Sequence, residues 1–431
     1  GVSTAVPDTE CMTHATGPQR RASFDRWGPY ALLAVGLVTA GASAHAIGLS
    51  RGETEAAGAL VAAALLLVPA AVAVAGGSSG PADTSLRTLA SKQGLRIGTA
   101  VDAAKLGTDK PYTDIVAGQF STVTPENAMK WESVEPSRGV YDWKQADELV
   151  RFAQQHGQAV RGHTLMWHNQ LPGWLTTGVA NGTIGDTQLR DILHRHVTDE
   201  VTHFKGKVWQ WDVANEVFAN AWETPRADGL NADDFWIGHL GPGVVADVFR
   251  WAHKADPKAL LMYNDYNITG EDGTNVKFQA VYDFVKKLRA QGVPIDGIGE
   301  QGHLDTQYGF DARRYQDDLQ AFGDLGLKVA VTEADVRTFV DNATDQVPTD
   351  ALAQYAQPYE FSELLKGCEL VRQCVSFTAW GVYDGDSWIP DTFSGEGYGL
   401  LYDVNLKPKP AYSTLQQDLK LAAGTVRHAG D

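Results

Sequence analysis

From about residue 84 the chain alternates short apolar runs with longer amphipathic stretches. The apolar runs are Arg96–Val101, Phe120–Thr124, Ala159–Trp167, Val208–Asn215, Ala259–Asn264, Gly297–Leu304, Lys328–Thr332 and Val375–Trp380. Short apolar or β-rich runs of this kind predict strands. Between them lie helix-type segments such as Gln145–Gln155, Asp191–Phe204 and Asn275–Ala290, and Ala411–Ala422 follows the last run. Strand–helix alternation repeated eight times predicts an α/β chain folded as a (β/α)8 TIM barrel. A doubly wound open sheet also alternates, so the alternation alone leaves both architectures open.

The polar residues separate the two. Nearly every run ends in a polar or aromatic cluster: Glu126 with Asn127, His163 with Trp167, Asn215 with Glu216, Asn264 with Tyr266, Gln301 with His303, Glu333 with Asp335, and Trp380. A barrel gathers all strand C-termini at one mouth, whereas an open sheet spreads them along an edge.

Residues 1 to 83 have a different composition. Pro29–Leu49 and Ala56–Ala75 are apolar stretches separated by the polar SRGETE, and Arg20, Arg21 and Arg26 precede the first. Each is about long enough to cross a bilayer. Each also ends in a small-x-small pattern, Ala44-His45-Ala46 and Ala73-Val74-Ala75, of the kind signal peptidases cut. A hairpin of two spans would return the large domain to the cytoplasm, so export by cleavage is expected, with a single membrane anchor as the alternative. The expected organisation is an extension over 1–50, a signal peptide or anchor over 51–75, and a flexible linker over 76–83. A catalytic barrel over 84–422 and a tail over 423–431 complete it. The protein is expected to be secreted and to meet a membrane only through the N-terminal segment if that is uncleaved.

A formal net charge of −17 argues against a nucleic-acid partner, because phosphate binding needs clustered Lys and Arg. No CxxC pair occurs, so a zinc site has no support. Cys368 and Cys374 lie close together, and in an exported protein they would pair; two free buried thiols are the alternative.

Glu216 and Glu333 carry the chemistry. A single strand-end Glu is more often a surface carboxylate than a catalyst. Two of them, converging with His and Trp at a barrel mouth, can flank a glycosidic bond, one as proton donor and one as nucleophile. Asn215 offers an amide suited to a sugar hydroxyl. His303 and Asp335 together would orient Glu333 and keep it ionised. Glu126 and Lys130 stand four apart around Asn127, as an ordinary ion pair or as a grip on sugar hydroxyls. Among the 12 tryptophans, most of them core residues by expectation, Trp167, Trp380 and Trp388 fall at strand ends or in a following loop, where indoles can stack on sugar rings.

With these residues assembled, the chain resembles glycoside hydrolase family 10, the endo-β-1,4-xylanases, over about residues 87 to 420. The resemblance rests on TPENAMKWESVEP (124–136), RGHTLMWHNQLPGW (161–174), WDVANE (211–216), YNDYN (263–267), QGHL (301–304), TEADVR (332–337), WGVYDGDSW (380–388) and KPAY (409–412). It implies a retaining double displacement on xylan and xylo-oligosaccharides without metal or organic cofactor. Glu216 resembles the acid/base and Glu333 the nucleophile. Glu126, Asn127 and Lys130 resemble the glycone-side grip. His163, Trp167, Asn215, Gln301, His303, Trp380 and Trp388 resemble the central subsite. Three positions depart from the family pattern: Glu300 stands where an apolar residue is usual, Ala334 where a larger aliphatic one is, and Gly302 where Ser is common. Two rival readings are cleavage of β-1,4-glucan, separable by rates on xylan and carboxymethyl-cellulose, and a catalytically idle xylan-binding module. No oligomer signal is visible, so a monomer is expected.

Overall fold

The computed structural model describes residues 83–422, apart from residue 221 and residues 270–275. The apolar stretches before residue 83, the proposed cleavage sites and the tail over 423–431 lie outside the described residues. Among the described residues no helix is long and apolar enough to cross a membrane.

Eight parallel strands close into a barrel. They are β1 (Arg96–Val101), β2 (Thr122–Pro125), β3 (Ala159–Gly162), β4 (Val208–Asn215), β5 (Leu260–Asp265), β6 (Gly297–Glu300), β8 (Lys328–Phe339) and β9 (Cys374–Ala379), with β9 pairing back to β1. Two short strands, β7 (His303–Asp305) and β10 (Glu396–Gly397), pair with the outer part of β8. Strands such as β2 and β6 are buried at every position, which explains their unbroken apolar reading. Helices cover the barrel with one apolar stripe each. Lys144–Gln155 buries Ala146, Leu149, Val150 and Ala153, spaced to fall on one face. The last helix, Pro410–Ala422, buries Ala411, Leu415 and Leu419 in the same manner.

Three expected strands differ in extent. The run Ala159–Trp167 leaves the sheet after Gly162, and the rest crosses the mouth as a loop. The run Gly297–Leu304 breaks at Gly302, which has a left-handed φ of 77° that favours glycine. Lys328–Thr332 instead continues to Phe339, because β7 and β10 give its backbone partners beyond the barrel rim. That extension sets His303 opposite Asp335 in register.

Cys368 and Cys374 form a disulfide between the end of helix Ala353–Leu370 and the start of β9. Lys409, in KPAY, is buried and donates to Asp384 Oδ2 at 2.7 Å and to the Tyr398 carbonyl at 2.7 Å. The pair ties the loop after β9, which carries Trp388, to the chain entering the last helix. Burial pulls the Lys409 ammonium down to about 8, against the pull of Asp384 in the other direction.

Candidate active site

The strand C-termini converge on one cleft of about 1100 Å³, at the upper end of small-molecule pockets and suited to an oligomeric ligand. Glu126, Asn127, Lys130, His163, Trp167, Glu216, Gln301, His303, Glu333, Trp380 and Trp388 all line it. Asn215 and Asp335 sit behind this lining, with 0% and 1% of their surface exposed.

Glu216 follows directly on β4 with a left-handed φ of 57°, a conformation unusual for a side chain of this size. Neutral donors hold its carboxylate. Trp167 Nε1 donates to Oε2 at 2.8 Å, while Gln301 Nε2 at 2.9 Å and Asn215 Nδ2 at 3.0 Å donate to Oε1. Trp236 donates from its indole to the Trp167 carbonyl at 2.8 Å and so fixes the backbone of the residue that grips Glu216.

Glu333 lies within β8, in a different environment. Asn264 Nδ2 donates to its Oε1 at 2.8 Å. Cationic or ionisable groups surround it: His303 Nε2 at 3.4 Å, Arg161 at 3.7 Å and His163 Nδ1 at 3.9 Å. Burial alone would raise the carboxyl; His303, His163 and Arg161 outweigh it and hold Glu333 at about 2. Asn264 also donates to Asn215 Oδ1 at 2.7 Å, so two amides link the carboxylates across the mouth. Gly299 makes this possible: a Cβ there would lie 2.3 Å from Asn264 Oδ1.

His303 and Asp335 form the expected network. Asp335 accepts from His303 Nδ1 at 3.0 Å and from Trp388 Nε1 at 2.8 Å, which also holds Trp388 over the cleft. Burial would lower the imidazole, but Asp335 and Glu333 raise it to about 10. The stability from this raised group is fully present below its ordinary 6.5 and is lost as pH rises toward about 10. Glu333 behaves in the opposite sense. Its contribution is present above 4.5 and is lost as pH falls toward about 2. Thermal unfolding of Asp335→Asn should therefore show a deficit against the parent at pH 6 that narrows toward pH 10. A deficit independent of pH would contradict the pairing.

Glu126 and Lys130 do not form the i,i+4 ion pair. Residues 126–130 are not helical, and Lys130 Nζ instead donates to Asn127 Oδ1 at 2.9 Å and lies 5.1 Å from the Trp167 ring centroid. Burial raises the Glu126 carboxyl and lowers the Lys130 ammonium. Glu300 does not face the cleft. It is fully buried on β6, and its Oε1 accepts from the Gly302 N–H at 3.0 Å.

Two contributors, Arg161 and Asp212, were not singled out from the sequence, and Asn264 was named there only as the polar end of its run, with no role of its own. Arg161 and Asp212 are buried on β3 and β4 as an ion pair, and His163 Nδ1 lies 2.8 Å from Asp212 Oδ2. Their signal was present, since a charged residue inside an apolar strand requires a buried partner. His163, Asp212 and Glu333 bring ligand-type atoms within 4.8 Å of one another. The Arg161 guanidinium already supplies positive charge to this acidic cluster, which does not favour a metal ion there.

A closed parallel barrel with two carboxylates from separate strands facing each other across a cleft of tryptophans, amides and histidines defines a glycoside hydrolase. The model of Glycosyl hydrolase family 10 matches residues 85–418, and the chain belongs to that family. It is 36% identical to endo-1,4-beta-xylanase B of Thermotoga neapolitana, covering 79% of this chain and 93% of that one. It is 37% identical to an endo-1,4-beta-xylanase of Agaricus bisporus, covering 76% and 92%. Among solved structures, native xylanase 10B from Thermotoga maritima superposes with a TM-score of 0.71 at 35% identity, covering 79% of this chain and 99% of that one.

Proposed function

We propose that this protein is a secreted endo-β-1,4-xylanase that cleaves internal xylosidic bonds of xylan with retention of configuration. The observation that carries the assignment of roles is the contrast between the two carboxylates. Glu333 is surrounded by Arg161, His163 and His303, whereas Glu216 is gripped by neutral donors alone. A permanently ionised carboxylate suits a nucleophile. Glu333 attacks the anomeric carbon while Glu216 protonates the departing glycosidic oxygen. Glu216 then takes a proton from water, which displaces Glu333 from the xylosyl-enzyme. Glu126, Asn127 and Lys130 hold hydroxyls on the glycone side, and Trp380 and Trp388 cover the ring being cut. The substrate is supported by the related endo-1,4-beta-xylanases. Export is supported by the Cys368–Cys374 disulfide, which persists in oxidising compartments.

The test is reducing-sugar release from xylan by the full chain, with the configuration of the first product read by NMR. Rapid release of the β-anomer is expected. An initial α-anomer would refute the double displacement, and faster release from carboxymethyl-cellulose than from xylan would refute the substrate.

A further inference from the structure

The side of the cleft facing Glu126 has chemistry that the proposed reaction does not use. In the closed ring of eight strands, β6 lies four strands from β2 in either direction, so residues following β6 and β7 face the Glu126–Lys130 grip across the mouth. Tyr308 follows β7 with 68% of its surface exposed, and Glu360 reaches the same wall from helix Ala353–Leu370; both line the cleft. Glu360 is only 6% exposed, yet its Oε2 has no hydrogen-bond partner among the described residues. A buried polar atom without a partner is costly, and one on the wall of a substrate cleft is positioned to receive a ligand group.

The surrounding charge defines the ligand. Asp305 and Glu396 stand on the same side as Glu360, with one cation among the described residues there, Arg337. That guanidinium is engaged with Asp305 Oδ2 at 3.1 Å and Glu396 Oε2 at 2.7 Å, and lies 4.0 Å from the Phe393 ring centroid. Three carboxyls against one committed cation disfavour an anionic sugar there. A neutral pyranose offers what the wall lacks: hydroxyls for the carboxyl and an apolar face for the exposed phenol ring.

Resting on the xylanase reading, we propose that Glu360 and Tyr308 form a distal subsite for an uncharged sugar of the bound chain, with the Glu360 carboxyl bonding a hydroxyl and the Tyr308 ring stacking on the sugar. Glu360 is a specificity residue here and takes no part in bond cleavage. Burial, reinforced by Asp305, pushes its carboxyl up to about 7, so in mildly acidic solution it is protonated and can donate as well as accept.

The experiment compares kcat/KM for xylohexaose, which spans the mouth, with that for an aryl β-xylobioside, whose aglycone is a single ring, in the parent, Glu360→Leu, Glu360→Gln and Tyr308→Ala. Glu360→Leu and Tyr308→Ala should each lose roughly tenfold on xylohexaose and little on the aryl glycoside. Glu360→Gln, which still hydrogen-bonds, should stay near the parent. Unchanged xylohexaose cleavage in both Glu360→Leu and Tyr308→Ala would overturn the subsite, as would equal losses on both substrates from folded variants. Tyr308→Ala changes an exposed side chain, so it decides the matter if Glu360→Leu does not fold. Failure of the parent on both substrates would instead refute the xylanase reading.

Discussion

Glu333→Ala is expected to reduce xylan cleavage by about 10⁵-fold in kcat, on the scale of removing a nucleophile from other covalent hydrolases. The loss follows from position as well as chemistry. The neighbouring carboxylates cannot take over the attack on the anomeric carbon: Asp212, held by Arg161 and His163, and Asp335, held by His303 and Trp388, are both buried behind the cleft lining. Xylo-oligosaccharide binding should persist, because Glu126, Asn127, Lys130, Trp380 and Trp388 are untouched. Calorimetric titration with xylohexaose reads that directly. The variant should also lose stability at neutral pH, since a carboxylate that stabilises the raised His303 imidazolium is gone. Full activity in this variant would refute the nucleophile assignment.

Glu216→Ala is expected to behave differently, and the difference identifies the acid/base. On xylan the loss should be about 10²–10⁴-fold, the usual contribution of a positioned proton donor. An aryl xyloside with an acidic phenol departs without protonation, so its first step should be nearly unaffected and the xylosyl-enzyme should accumulate. Azide, a nucleophile that needs no general base, should then restore turnover and release a β-xylosyl azide. Equal loss on xylan and on the activated aryl xyloside, or an α-configured azide, would contradict the scheme. Trp167, Asn215 and Gln301 would lose their common acceptor, so a crystal structure or thermal scan should accompany the kinetics.

The barrel was legible because its strands are buried along most of their length and therefore read as apolar runs, and helices such as Lys144–Gln155 bury a single stripe. The ends of the runs were less legible. Whether β8 stops at Thr332 or continues to Phe339 depends on β7 and β10 arriving from elsewhere in the chain, which no local pattern encodes. The carboxylates and tryptophans of the cleft were recognisable from residue type and place at strand ends. Asn264, Arg161 and Asp212 were harder to assign, because their importance lies in what they touch.

The sequence by itself thus determined the architecture, the family resemblance and the candidates for the mouth, since these follow from hydrophobic pattern and residue chemistry. Only the tertiary structure decided which environment each carboxylate occupies. Neutral donors around Glu216 come from the loop after β3, the end of β4 and the residue following β6, while the groups around Glu333 come from β3, the residue following it and β7. Electrostatic influence depends on distance and burial, and residues 161, 264, 303 and 333 become neighbours only when the barrel closes. The same holds for Glu360, an ordinary helical glutamate in the sequence, which becomes a cleft residue because its helix packs beside β8.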